Sequence, residues 1–161
     1  MEHRLTQNPG LARFRYGLLA GALITHLCAC GGPSTGPEEE LRDWVGRGVA
    51  AVEARERRVL SGMISPAYAD ARGYDRDRVE RMLLVYFKRM NSIELVTSIE
   101  EVNVVADTAA ELLLTVGMAG THDGVLGFSA DAYQFLLELE KDGGDWSLIS
   151  ARWGQMGSEL R

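Results

Sequence analysis

The sequence predicts an α+β domain in which N-terminal helices pack on one face of a curved, bulged antiparallel sheet. From Leu41 to Met90 apolar residues recur every three or four positions, the spacing of a helix stripe. From Ile93 onward they recur every second position, as in a strand with one buried face. Helices gathered ahead of a strand meander are the α+β arrangement. The chain has 161 residues, 46% apolar and 25% charged. That is enough for one core and too little for two domains of ordinary size. With 18 Gly and 4 Pro, collagen-like and low-complexity classes are excluded.

The charge is uneven. The first 37 residues hold Arg4, Arg13 and Arg15 against Glu2, and the remainder holds 14 basic and 22 acidic side chains, a net of -8. So acidic a body offers no footprint for a phosphate backbone, which argues against nucleic acid as a partner. After the arginines comes an apolar stretch, Gly17 to Ala29. As a helix it would rise about 20 Å, short of a hydrocarbon core of about 30 Å. A basic segment followed by so short an apolar run is the secretory signal pattern. An uncleaved anchor or a buried helix is the other reading. Leu27-Cys28-Ala29-Cys30 resembles the lipobox of bacterial lipoproteins, although His26 is an unusual polar guest before it. The resemblance implies that residues 1–29 are a signal peptide and that Cys30 carries a diacylglyceryl group as the first mature residue. It also implies a membrane partner through that anchor. Gly31 in place of Asp implies the periplasmic face of the outer membrane. Two or three acyl chains make such anchoring durable. With Cys30 acylated the exported domain has no thiol left. Residues 30–37 then read as the lipidated cysteine and a Gly/Pro-rich linker spanning about 25 Å at most, and residues 38–161 as the domain.

The helices come first. Glu38, Glu39 and Glu40 suit the positive end of a helix dipole, and Leu41, Trp44, Val45, Val49 and Val52 form its apolar stripe. The run Glu53-Ala-Arg-Glu-Arg-Arg58 reads as the solvated side of that helix, with a basic partner patch as the other reading. A short second helix is expected from Ser65 as cap and Pro66 in the first turn to Gly73 beyond the last. A third starts at Asp75 or Asp77, where Asp77 and Glu80 imitate a capping box. Its buried stripe is Val79, Leu83, Tyr86, Phe87 and Met90.

Strands follow. Ile93, Leu95 and Ile99 share one parity and Val102 and Val104 the other, so the slip at Glu100-Glu101 predicts a β-bulge. Beyond the Asp107-Thr108 turn, Ala110, Leu112, Leu114, Val116 and Met118 alternate with Glu111, Thr115 and Gly117. Tyr133, Phe135, Leu137 and Leu139 alternate with Gln134, Glu138 and Glu140, and Asp142-Gly-Gly-Asp145 is a hairpin loop into Trp146–Trp153. Between them Thr121–Asp131 reads as a loop carrying Val125, Leu126 and Phe128. These apolar residues either plug the fold or form a lid or partner patch. The outward parity (Glu111, Thr115, Gln134, Glu138, Glu140) is polar, which favours a monomer or at most a weak homodimer.

From about Leu41 to Trp153 the chain resembles the nuclear transport factor 2-like superfamily, which includes the SnoaL-like proteins and ketosteroid isomerase. The resemblance rests on the helix order, Tyr68-Ala-Asp70 with Gly73-Tyr-Asp75, Val85-Tyr-Phe87, and the closing Lys141-Asp-Gly-Gly-Asp-Trp146 with Trp153. It implies a cone, a curved sheet wrapped on helices around an apolar pocket. Steroid isomerases of this superfamily use a cavity carboxylate as base with a tyrosine donor on the first helix. Here no tyrosine lies between Glu38 and Ala67, and the inward parities of the two central strands carry no base. Asp70, near Tyr68, Tyr74 and Tyr86, is the remaining candidate, with a turn carboxylate as its structural reading.

Other chemistries have less to build on. His122 is the one histidine beyond the leader, no phosphate-cradling glycine loop or dinucleotide fingerprint occurs, and no cofactor or metal is expected. Thr121-His-Asp-Gly124 reads as a loop tip. Two functions stay open. One is a membrane-anchored envelope lipoprotein with a non-catalytic domain that scaffolds, or binds an envelope protein or a small apolar ligand, through Tyr133, Phe135, Val125, Leu126, Phe128 and Trp153. The other is a small isomerase- or dehydratase-type enzyme with Asp70 as proton shuttle and Tyr68 or Tyr86 as donor.

Overall fold

The computed structural model describes residues 36–122 and 129–161. Residues 1–35, with the segment expected as a signal peptide, Cys30 and most of the expected linker, lie outside the described residues, as do Val125, Leu126 and Phe128. Residues Pro33–Arg161 are one compact unit, and all described helices and strands and the whole core cluster fall inside it. This unit has the core it needs to fold alone. Among the described residues no helix is long and apolar enough to cross a membrane.

Helix α1 (Pro37–Glu53) opens with proline in its first turn, followed by the three glutamates. Its stripe faces inward as the spacing requires, with Leu41, Trp44 and Val45 buried. The helix does not continue through Arg58. Arg55 takes the left-handed conformation, φ 57°. The amide of Glu56 donates to Ala51 O and that of Arg55 to Val52 O, which is the Schellman closure of a helix end. Arg55 also donates from Nη1 to Met90 O at 3.0 Å. The basic run therefore turns a corner and begins α2 (Arg57–Gly62).

The helix expected between Ser65 and Gly73 is absent, and the segment is a chain of turns. Its backbone finds partners on the sheet: Ser65 N donates to Leu148 O, and Ala69 N to Ile149 O. The Ser65 hydroxyl accepts from Ala67 N and pairs with Glu140. Gly73 does take φ 73°, but it closes a turn on Asp70. Helix α3 (Arg76–Arg89) starts at the cap Asp75, whose carboxylate accepts from Arg78 N at 2.8 Å. Glu80 pairs with Arg76, so no Asp77–Glu80 capping box forms.

Four strands make one antiparallel meander in the order β1-β2-β3-β4: β1 Met90–Ala106, β2 Ala109–His122, β3 Ser129–Asp142 and β4 Asp145–Gln155. The register slips between Ile99 and Glu101, where the change of parity predicts the bulge. Val102 returns to the inner face, whereas Val104 stays exposed. The region expected as a loop from Thr121 to Asp131 is strand at both ends, since β2 runs to His122 and β3 starts at Ser129, and its middle, residues 123–128, lies outside the described residues.

The core sits at one end of the curved sheet. Leu41, Leu112 and Leu139 are 0–1% exposed and meet Trp44, Tyr68 and Trp146. Glu40 fastens the start of α1 to the β3–β4 hairpin by accepting from Lys141 Nζ at 2.5 Å and Trp146 Nε1 at 2.9 Å. Toward the other end the wall loosens: Val116, Phe135 and Trp153 are half-buried, and α3 has no buried residue. Gly154 lets the C-terminal segment close on β4, since a Cβ there would meet Glu159 O at 2.8 Å.

The hydrogen bonds from Lys141 and Trp146 hold the Glu40 carboxyl below its ordinary value of 4.5. Because ionised Glu40 is favoured in the fold, its contribution to stability is present above that value and lost as pH falls below it. Glu40→Gln is expected to lower the melting temperature by a few degrees at pH 7. The gap from the unsubstituted protein should shrink when thermal unfolding is followed down to acid pH. An equal gap throughout would contradict this role.

Candidate functional site

The inner face of the sheet and the three helices enclose a cavity of about 870 Å³, inside the roughly 300–1,000 Å³ range of small-molecule sites. Its sheet wall is Leu114, Val116, Met118, Phe135, Leu137, Ala151 and Trp153. Helix α1 adds Trp44, Val45, Gly48 and Val49, and α3 adds Val79, Leu83, Tyr86 and Phe87. Four residues of the predicted α3 stripe thus border the cavity, whereas the fifth, Met90, is the first residue of β1. Since α3 buries nothing fully, the cavity opens on its side.

Polar groups at this wall are few. Tyr68, 4% exposed, donates its hydroxyl to Asp70 Oδ2 at 3.1 Å. Burial, and then the Asp70 charge, push the Tyr68 hydroxyl well above its ordinary range, so it stays a neutral donor. The Tyr86 hydroxyl lies 2.8 Å from Met118 Sδ. Burial, and then the charge of Asp131, raise its pKa as well. Trp44 contributes an indole whose buried Nε1 has no partner among the described residues. No Asp, Glu or His is among the described residues of the wall, whose charged members are Arg78, Arg81 and Arg89, all exposed.

Asp70 stands behind the wall. Its Oδ1 accepts from Arg72 N at 2.9 Å and Tyr74 N at 2.8 Å, and its Oδ2 from Tyr68. Three donors converge on one carboxylate and hold the turn before α3. Asp70 and Tyr68 are brought together as the sequence spacing implies, but Tyr86 hydrogen-bonds neither of them. Arg72 lies 4.2 Å from the Trp153 ring centroid, donates to Trp153 O and Arg161 O, and closes this corner from outside.

Of the residues expected to touch a ligand, Phe135 and Trp153 line the cavity, their rings stacked at 6.5 Å and 19°. Tyr133 is half-buried next to Phe135 and is not part of the wall. Met63, Gly48 and the α3 arginines were not among the sequence candidates. Their signal is a spacing of three and eight residues along one helix (78, 81, 89), which reads equally well as a solvated face. No cluster able to hold a metal occurs among the described residues.

No family model and no curated protein matches this chain. Solved structures do. A conserved protein from Planctomyces limnophilus superposes with a TM-score of 0.65 at 17% identity, over 71% of this chain and 91% of that one. A hexachlorocyclohexane dehydrochlorinase from Novosphingobium barchaimii gives 0.63 at 12% identity, over 77% and 88%. A nuclear transport factor 2-like superfamily protein from Salmonella enterica gives 0.61 at 10% identity, over 73% and 89%. Helices followed by a curved four-stranded antiparallel sheet are common to them and to this chain, which therefore has the nuclear transport factor 2-like cone fold.

Proposed function

We propose that this protein is a lipid-anchored envelope protein whose cone binds a small apolar ligand without transforming it. The observation that carries the binding half is the open cavity of about 870 Å³ with an almost wholly apolar wall. Burying ligand surface there is favourable by roughly 25 cal/mol per Å². Anchoring is supported by the resemblance of Leu27–Cys30 to a lipobox behind a short apolar stretch. A tether of residues 30–37 would keep the cavity near the bilayer surface, where apolar molecules concentrate.

The second reading is an enzyme of the isomerase or dehydratase kind, favoured by the Tyr68–Asp70 hydrogen bond and by the dehydrochlorinase among the structures of like fold. General acid–base catalysis needs a titratable group within hydrogen-bond reach of the substrate. Asp70 has its oxygens turned to two backbone amides and a tyrosine, and Tyr68 has its proton committed to Asp70. That arrangement supports a structural role for the pair.

Three measurements test this reading. The full chain expressed in a bacterial host should fractionate with membranes and show the mass of an acylated N-terminal Cys30. Cys30→Ser should remove both, and an unmodified full-length chain in the soluble fraction would overturn the anchor. The Pro33–Arg161 unit should bind the neutral dye Nile red, and Val116→Trp, which fills the cavity, should weaken binding about tenfold with little loss of stability. Unchanged affinity would place the dye elsewhere. Asp70→Ala should cost about 2 kcal/mol of stability, since three donors lose their acceptor, and Asp70→Asn less. Both should keep dye affinity. Full stability of Asp70→Ala would contradict the structural role.

A further inference from the structure

We propose that the occupant of the cavity is an anionic amphiphile with one apolar tail, its head group paired with Arg78 and Arg81 at the rim. The inference rests on the reading of the cavity as a ligand site and names the ligand's chemical class.

Charge carries it. The domain from residue 38 has a net charge of -8, yet α3 holds five basic against two acidic side chains. The charged members of the described wall are all arginines of this one helix. Neighbouring arginines are occupied by the fold: Arg76 by Glu80 and Ser61 O, Arg72 by two carbonyls, Arg55 by Met90 O. Arg78 lies over the Tyr74 ring at 5.4 Å, which leaves its guanidinium edge for an anion. Arg81 has no ion-pair partner among the described residues. A guanidinium presents a planar fork of donors that matches carboxylate, phosphate or sulfate oxygens.

Geometry limits the head to one place. Arg78 and Arg81 are three residues apart, neighbours about 5–6 Å apart on the helix surface, and can bracket a single head group. Arg89 lies roughly 16 Å further along the axis from Arg78, beyond the reach of the same head. Beside the pair, Met82 and Val85 stay 43% and 46% exposed and also belong to the wall, so apolar surface runs from the rim inward. A tail that follows it inward meets a sheet wall of Leu114, Val116, Met118 and Phe135. A neutral ligand would leave the two arginines with nothing to pair, and a cationic one would be repelled.

The test uses the Pro33–Arg161 unit and a set of ten-carbon amphiphiles below their micellar concentrations: decanoate, decyl phosphate, decanol and decyltrimethylammonium. Fluorescence of Trp44 and Trp153, which line the cavity, reports binding. Decanoate, decyl phosphate or both should bind about tenfold more tightly than decanol, and decyltrimethylammonium more weakly. Whichever anion binds best identifies the head as carboxylate or phosphate. The double variant Arg78→Gln/Arg81→Gln should lose the preference for the anion while keeping decanol affinity, whereas Arg47→Gln, on the exposed side of α1, should keep it. Equal binding of decanol and both anions, or a preference that survives in the double variant, would overturn the proposal and leave the apolar site standing. No binding by any member of the set would overturn the ligand-site reading itself.

Discussion

The structure depends on packing at one end of the cone, where α1 lays Leu41, Trp44 and Val45 onto Leu112, Leu139 and Trp146. The three least exposed large side chains, Leu41, Leu112 and Leu139, come from α1, β2 and β3, so each burial ties a different part of the chain to the same point. Helix α1 has few means of its own to hold this position, because no side chain caps it. Glu40 supplies the tie by bonding Lys141 and Trp146 across the hairpin. With that end closed, sheet curvature separates the rest of the inner face from α3. The bulge between Ile99 and Glu101 bends β1. The cavity is therefore a consequence of where the core was placed, and its wall is the continuation of the core's own residues.

The polar groups near the cavity are drawn into holding its frame. Asp70 collects the two backbone amides that shape the turn into α3 and the hydroxyl of a buried tyrosine. Ser65 joins Glu140 and the backbone of β4, and Arg72 bridges the carbonyls of Trp153 and Arg161. The carboxylate has its oxygens turned to three donors of the fold, and these bonds fix the local backbone. The same satisfaction makes the frame around the cavity stiff.

Much of this was legible in the sequence where local spacing decides the outcome. The stripe from Leu41 to Val52, the alternation along β2 and β3, the parity slip at Glu100-Glu101 and the Asp142–Asp145 hairpin all follow from side-chain period or turn residues. The failures have physical causes. Arg55 closes α1 in a conformation that glycine usually supplies, so residue type carried no signal. Ser65, Pro66 and Gly73 are the residues of helix ends, yet the segment's amides pair with Leu148 and Ile149, about eighty residues away. Distant pairing overrode local preference. The cavity was only half legible. Apolar inward residues are visible in the sequence, but whether they meet or leave a gap depends on curvature and on how far α3 stands from the sheet. The α3 arginines carry no distinguishing mark until the wall they border is known.

An apolar wall that no atom of the described residues covers forgoes stabilisation. Interiors ordinarily pack as tightly as organic crystals, and each Å² left wet forgoes roughly 25 cal/mol. The lining of this cavity includes Val79, Leu83, Tyr86 and Phe87 on α3, residues whose helical spacing would let them close onto Val116 and Phe135 if the helix moved inward. Apart from Val79 against the core and the Tyr86 hydroxyl at Met118 it stands off, held at its N-terminus by the Asp75 cap and the Asp70 turn, and at its C-terminus by direct continuation into β1 at Met90. Ligand that binds only this folded form returns the missing burial as added stability, by mass action. The gap under α3 is thus maintained by hydrogen bonds at one end of the helix and by covalent continuation into β1 at the other.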